Sequence, residues 1–187
     1  FAEKPAPGQT QTRVWMERED GLLVSEGTAA IGDHAQSALR AKDYRPCDPS
    51  ELRILNKVQP GMSLGTYEVH AGTDKQFERY DTHVISDPLS WYRDTSPWGD
   101  VIAAPSTVLE FLWAPAMQGL RPLVGHSVGL FGAIEVGFHH GPMLMNQDYR
   151  IETEVVCLGQ SPQTEYLWYD TAAFDIDNQP VAPLRMH

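Results

Sequence analysis

Between residues 81 and 110 the chain gathers much of its acid–base chemistry: Asp81, His83, Asp87, Asp94, Asp100 and Glu110. An imidazole beside a carboxylate can exchange protons with a reacting group near neutral pH, so His83 and Asp87 form a candidate catalytic dyad. The competing reading is structural, because Asp in a Pro-rich loop forms turns and caps helices. Loops nevertheless carry catalytic groups out of proportion to their share of a fold. Glu110 stands three residues after Thr107 in "PSTVLEFL", the T-x-x-E spacing of a capping box, with Pro105 just before it. Beyond this region, Gly125 and His126 in "LVGHSVG" suit a loop whose backbone approaches a ligand closely. His139 and His140 lack the helical i, i+4 placement of a metal pair, and no carboxylate follows at a matching interval. They read as structural or surface histidines, and neither metal nor cofactor is expected.

The elements that must position these groups can be traced from hydrophobic period and turn chemistry. "TRVWMER" and "LLVSEGTAAIG" flank Asp20-Gly21, a favoured tight-turn pair, and predict a hairpin within residues 1–32. Two strands are marginal alone, so the hairpin is expected to complete a sheet made elsewhere. Residues 33–60 show no sustained period and read as a linker crossing a surface, with a helical turn near Leu52. From residue 61 a strand "LGTYEVHAG" leads to a short helix capped by Thr73. Apolar residues from Val108 to Met117 cover nearly every face of the next helix, which predicts burial all round, and Pro115 is expected to end or kink it. Three strand-like runs then follow, the first alternating Ile134, Val136 and Phe138 with Glu135, Gly137 and His139, and "VAPLRMH" closes the set. A strand, one buried helix and a run of antiparallel strands describe an α+β hotdog, a curved sheet wrapped around a central helix, over residues 61–187.

Composition excludes several classes. With 25 acidic against 14 basic residues and a net charge of −11, the chain has no basic stripe for nucleic acid. No apolar run approaches the roughly 20 residues of a membrane-spanning helix, and the first residues lack the order of a signal peptide. Cys47 and Cys157 lie far apart without metal or redox spacing and read as reduced thiols of a cytoplasmic protein.

The segment "SDPLSWYRDTSPWGDVIAAPSTVL" resembles the loop-and-helix region of the MaoC-like dehydratases, which include (R)-specific enoyl-CoA hydratases, and "GFHHGPMLMNQDYRIETEVV" is similar to the strands that follow in that family. The opening hairpin resembles the last two strands of another hotdog, as at the junction of double-hotdog members. The resemblance implies reversible hydration of a 2-enoyl thioester carried on coenzyme A or a carrier protein, and an assembly of hotdog subunits, identical or different. In the family's D-x-N-P-L-H pattern the Asp and His hold the water, and N–H groups at the helix start polarise the thioester carbonyl. Aligning Pro88-Leu89 puts Ser86 at the Asp position and Ser90 at the His position, and places Ser106 and Thr107 at the helix start. A serine hydroxyl cannot transfer protons as a carboxylate and imidazole do near pH 7. Two alternatives follow: a non-catalytic half that supports a partner carrying the pair, or a thioesterase using Glu110, which resembles an acidic residue on the central helix of some hotdog enzymes.

Overall fold

A computed structural model describes residues 8–32, 37 and 39–187. The chain divides into two compact units at residues 43 and 44. The first contains the expected hairpin: β1 (Thr10–Glu17) pairs antiparallel with β2 (Leu23–Ile31), so that Val14 faces Gly27 and Trp15 faces Glu26. Gly21 takes a φ of 82°, its N–H donates to the Arg18 carbonyl at 2.9 Å, and Asp20 Oδ1 accepts from the Leu22 N–H at 3.1 Å. The Asp-Gly pair thus sets the turn through side-chain and left-handed geometry together. Val14, Trp15, Leu23 and Val24 all stand exposed.

The second unit is built on a five-stranded antiparallel sheet of order β3-β5-β6-β7-β4, formed by β3 (Ser63–His70), β4 (Ile134–Val136), β5 (Asp148–Gln160), β6 (Glu165–Phe174) and β7 (Pro180–Met186). Two helices intervene after β3: α1 (Asp74–Asp81) and α2 (Pro105–Val124). The sheet bends around α2, whose Val108, Leu112, Ala116 and Leu120 form an i, i+4 stripe that is buried against strand residues such as Ile151, Val155 and Leu184. Gly119 lets the two layers approach closely: a Cβ there would lie 1.8 Å from the Leu64 carbonyl oxygen of β3.

Four expectations need correction. Helix α2 is buried on one stripe and not all round, since Ala114, Gln118 and Arg121 on the opposite face are exposed. Pro115 does not end it; the helix continues nine residues further, to Val124, with Pro115 and Pro122 inside. Packing of the stripe on the sheet outweighs the hydrogen bonds that the two prolines remove. Strand β4 is only three residues long, and Ile134 and Phe138 are exposed, because this edge of the sheet has a partner, β7, on one side alone. Residues 44–60 are no surface linker either: Leu52, Leu55 and Val58 enter the core, and the Glu165 carboxylate accepts the N–H groups of Arg53, Ile54 and Leu55 at 2.7 to 2.9 Å. The expected helical turn is a 3-10 turn at Pro49–Glu51, capped by Asp48.

Candidate functional site

The segment between α1 and α2 is fastened before it reaches the helix. Gln76, almost fully buried on α1, donates its Nε2 to the carbonyls of Tyr92 and Ile102 at 2.7 and 3.0 Å, and its Oε1 accepts the Ala104 N–H at 2.8 Å. One amide side chain therefore satisfies three buried backbone groups of the loop. Ile85, Tyr92, Ile102 and Ala104 form a small core beneath the same loop. Ala104 is the N-cap residue of α2, without a side-chain cap, and Pro105 occupies the first helical position.

That start displaces the expected capping box. Thr107 lies inside the first turn, 5 % exposed, and its Oγ1 has no hydrogen-bond partner among the described residues. Glu110 does not reach back to Thr107. It pairs instead with two cations of α1, Lys75 and Arg79, the latter at 2.8 Å. Burial alone would push the Glu110 carboxyl up, the direction its apolar neighbours suggest, but the hydrogen bonds and charges of Lys75 and Arg79 together outweigh it and hold the group below the usual glutamate range. A carboxylate so engaged is a weak base and a poor nucleophile.

The other candidates are scattered. His83 is exposed in the left-handed region at φ 58°, and Asp87 Oδ1 accepts the Leu89 N–H at 3.0 Å as a turn former. No hydrogen bond joins these two among the described residues. Ser86 and Ser90 are exposed on the same loop, and Ser106 on the helix start. Asp81 pairs with Arg93, and Asp100 Oδ1 accepts the Val101 N–H at 2.7 Å. Gly125, with φ 61°, closes the other end of α2 and His126 follows it, exposed. A helix of this length runs about 30 Å, so Gly125 and His126 do not join the residues at its start. His139 and His140 line a separate cleft of about 330 Å³ with Trp98 and Tyr149. Among the described residues no group of three or more His, Cys, Asp or Glu side chains converges as metal ligands do.

What the sequence did not reveal is a cleft of about 490 Å³ between β3, α1 and the open face of α2. Tyr67 and Val69, Gln76 and Arg79, and Phe111 and Pro115 contribute its walls, with Thr107 and Glu110 among them. Of the sequence-derived candidates only these last two face it. The i, i+4, i+8 series Thr107, Phe111, Pro115 is the signal that marks this face of α2, but the apolar residues on every side of the helix mask it.

No family model matches the chain, and no curated protein does. Solved structures do, through their fold, and that fold is the hotdog. The (3R)-hydroxyacyl-ACP dehydratase complex HadBC of Mycobacterium tuberculosis superposes with a TM-score of 0.58 at 12 % identity, over 70 % of this chain and 96 % of that one. The (R)-hydratase PhaJ1 of Pseudomonas aeruginosa gives 0.51 at 14 % identity over 70 % and 81 %, and a MaoC-like dehydratase of Rhodospirillum rubrum gives 0.51 at 11 % over 72 % and 93 %. The chain thus shares the hotdog fold of MaoC-like dehydratases and (R)-hydratases. No helix among the described residues is long and apolar enough to cross a membrane.

Proposed function

We propose that this chain is a hotdog unit of the acyl-thioester hydratase and dehydratase type that has lost its own acid–base pair and works beside a partner unit that retains one. The observation that carries this reading is the loop of residues 86–90. Ser86 and Ser90 stand where the resemblance expects an acid and a base, Asp87 is engaged in a turn, and Glu110 is held by two cations. Among the described residues the Asp87 and Glu110 carboxylates are thus engaged elsewhere, and the Ser86 and Ser90 hydroxyls cannot move a proton near pH 7. The backbone there keeps part of the carbonyl-binding apparatus. Gln76 takes the Ala104 N–H and the Ala104 carbonyl takes those of Thr107 and Val108, which leaves the Ser106 N–H. An acyl thioester of coenzyme A or a carrier protein would meet Ser86, Ser90 and Ser106 as a binding wall, and the partner would supply the water-activating pair.

The HadBC neighbour, a complex by its own name, makes a paired arrangement reasonable. Binding is tested by titrating ¹⁵N-labelled chain with crotonyl-CoA. We expect amide shifts at Ser86, Ser90 and Ser106. Shifts absent from all three would overturn the reading.

A further inference from the structure

The β3–α1–α2 cleft has chemistry of its own, apart from the loop of residues 86–90. Its lining includes Thr107, a residue 95 % buried whose Oγ1 has no hydrogen-bond partner among the described residues. A buried hydroxyl that is left unsatisfied costs free energy which a bound hydrogen-bonding group would recover. One turn further, Phe111 lines the cleft, and Pro115, one turn beyond that, has no N–H to give the Phe111 carbonyl its helical bond. The Thr107 hydroxyl therefore shares one stripe with Phe111 and Pro115, bordered by the apolar surfaces of Val69 and Ala114.

Charge defines the occupant further. Lys75 and Arg79 share the single carboxylate of Glu110, and His70 Nδ1 lies 2.7 Å from Asp148. Glu68 and Asp74 add negative charge to the lining. An anion would have to displace Glu110 and meet these carboxylates, whereas a cation would face Lys75 and Arg79. An uncharged molecule meets neither obstacle. The volume of about 490 Å³ falls within the span of small-molecule sites.

We propose that this cleft binds an uncharged amphipathic molecule, an aliphatic body with an amide or carbonyl head held at Thr107. The site is independent of thioester binding at residues 86–90 and stands or falls separately. The test is an amide-shift titration of the full ¹⁵N-labelled chain with hexanamide, and with hexanoate and hexylammonium as charged counterparts. For a ligand this small we expect a dissociation constant on the order of 1 mM, with shifts centred on Val69, Lys75, Glu110 and Ala114. Thr107→Val should bind hexanamide roughly 3- to 10-fold more weakly through loss of one hydrogen bond, without losing thermal stability. Ala114→Trp, at an exposed helix position, should fill the cleft and abolish the shifts. Both charged probes should bind more weakly than hexanamide, and crotonyl-CoA should not compete with it. Hexanamide shifts that persist in Ala114→Trp, equal affinity in Thr107→Val, tighter binding of either charged probe, or no shifts in the wild-type chain would each overturn the proposal.

Discussion

Glu110 shows how one side chain can fit two roles on paper and take a third in the fold. Its spacing from Thr107 satisfies a capping box, yet α2 begins at Pro105, three residues too early for Thr107 to be the cap. The carboxylate turns instead to Lys75 and Arg79. The two roles differ in what Glu110→Gln does. A glutamine preserves a capping box but not an ion pair, so the pairing with α1 leads us to expect a loss of about 1 kcal/mol or less, measured by urea unfolding and shrinking in high salt. Unchanged stability at low salt would contradict the pairing. Gln76 is the more consequential residue, and nothing in "TDKQFERYD" distinguishes it from a solvated helix position. Only the folded chain brings the Tyr92, Ile102 and Ala104 backbone groups to its amide. Gln76→Leu strands two carbonyls and one N–H in the interior, and we expect at least ~3 kcal/mol of destabilisation in the same unfolding experiment.

At the scale of elements, the sequence disclosed what local chemistry controls. The hairpin turn at Asp20-Gly21, the strand ending at His70, the helix after Thr73 and the long strands β5 to β7 were legible because turn residues and hydrophobic period agree there. Thr73 does sit at the helix boundary, although its side chain makes no capping bond. Legibility failed where tertiary packing overrides local rules. Helix α2 runs through Pro115 because its Val108–Leu120 stripe is held by the sheet, and the segment holding Leu52, Leu55 and Val58 is drawn into the core although its prolines and polar residues read as a linker. Of the candidate site, the loop carrying Ser86 and Ser90 was visible through its resemblance. The cleft was not, because it joins three elements distant in sequence and its walls are ordinary apolar and charged residues.

For the molecule as a whole, two carboxylates tie distant parts of the second unit together, Glu165 to residues 53–55 and Glu110 to α1. In both, burial raises the pKa but is outweighed, by backbone N–H bonds at Glu165 and by Lys75 and Arg79 at Glu110, so both fall below the ordinary value of 4.5. A depressed folded pKa means the unfolded chain takes up the proton more readily. The stabilisation is complete above that ordinary value and is lost as pH falls through the lower, folded one. We expect the melting temperature to drop below pH 4.5, and the drop to be smaller in the Glu110→Gln, Glu165→Gln double variant; an identical acid profile would contradict this origin. The exposed apolar residues beside β4, Val128, Leu130, Phe131 and Phe138, together with the open edge of that strand, lead us to expect association, to be read as a mass above one chain by light scattering. A stable monomer would count against the paired arrangement. The most direct measurement is hydration of crotonyl-CoA by the purified chain alone, followed by loss of the enoyl absorbance. A unit without its own acid–base pair should give a rate indistinguishable from buffer, whereas turnover that scales with protein concentration and disappears in a His83→Ala, Glu110→Gln variant would contradict the central claim.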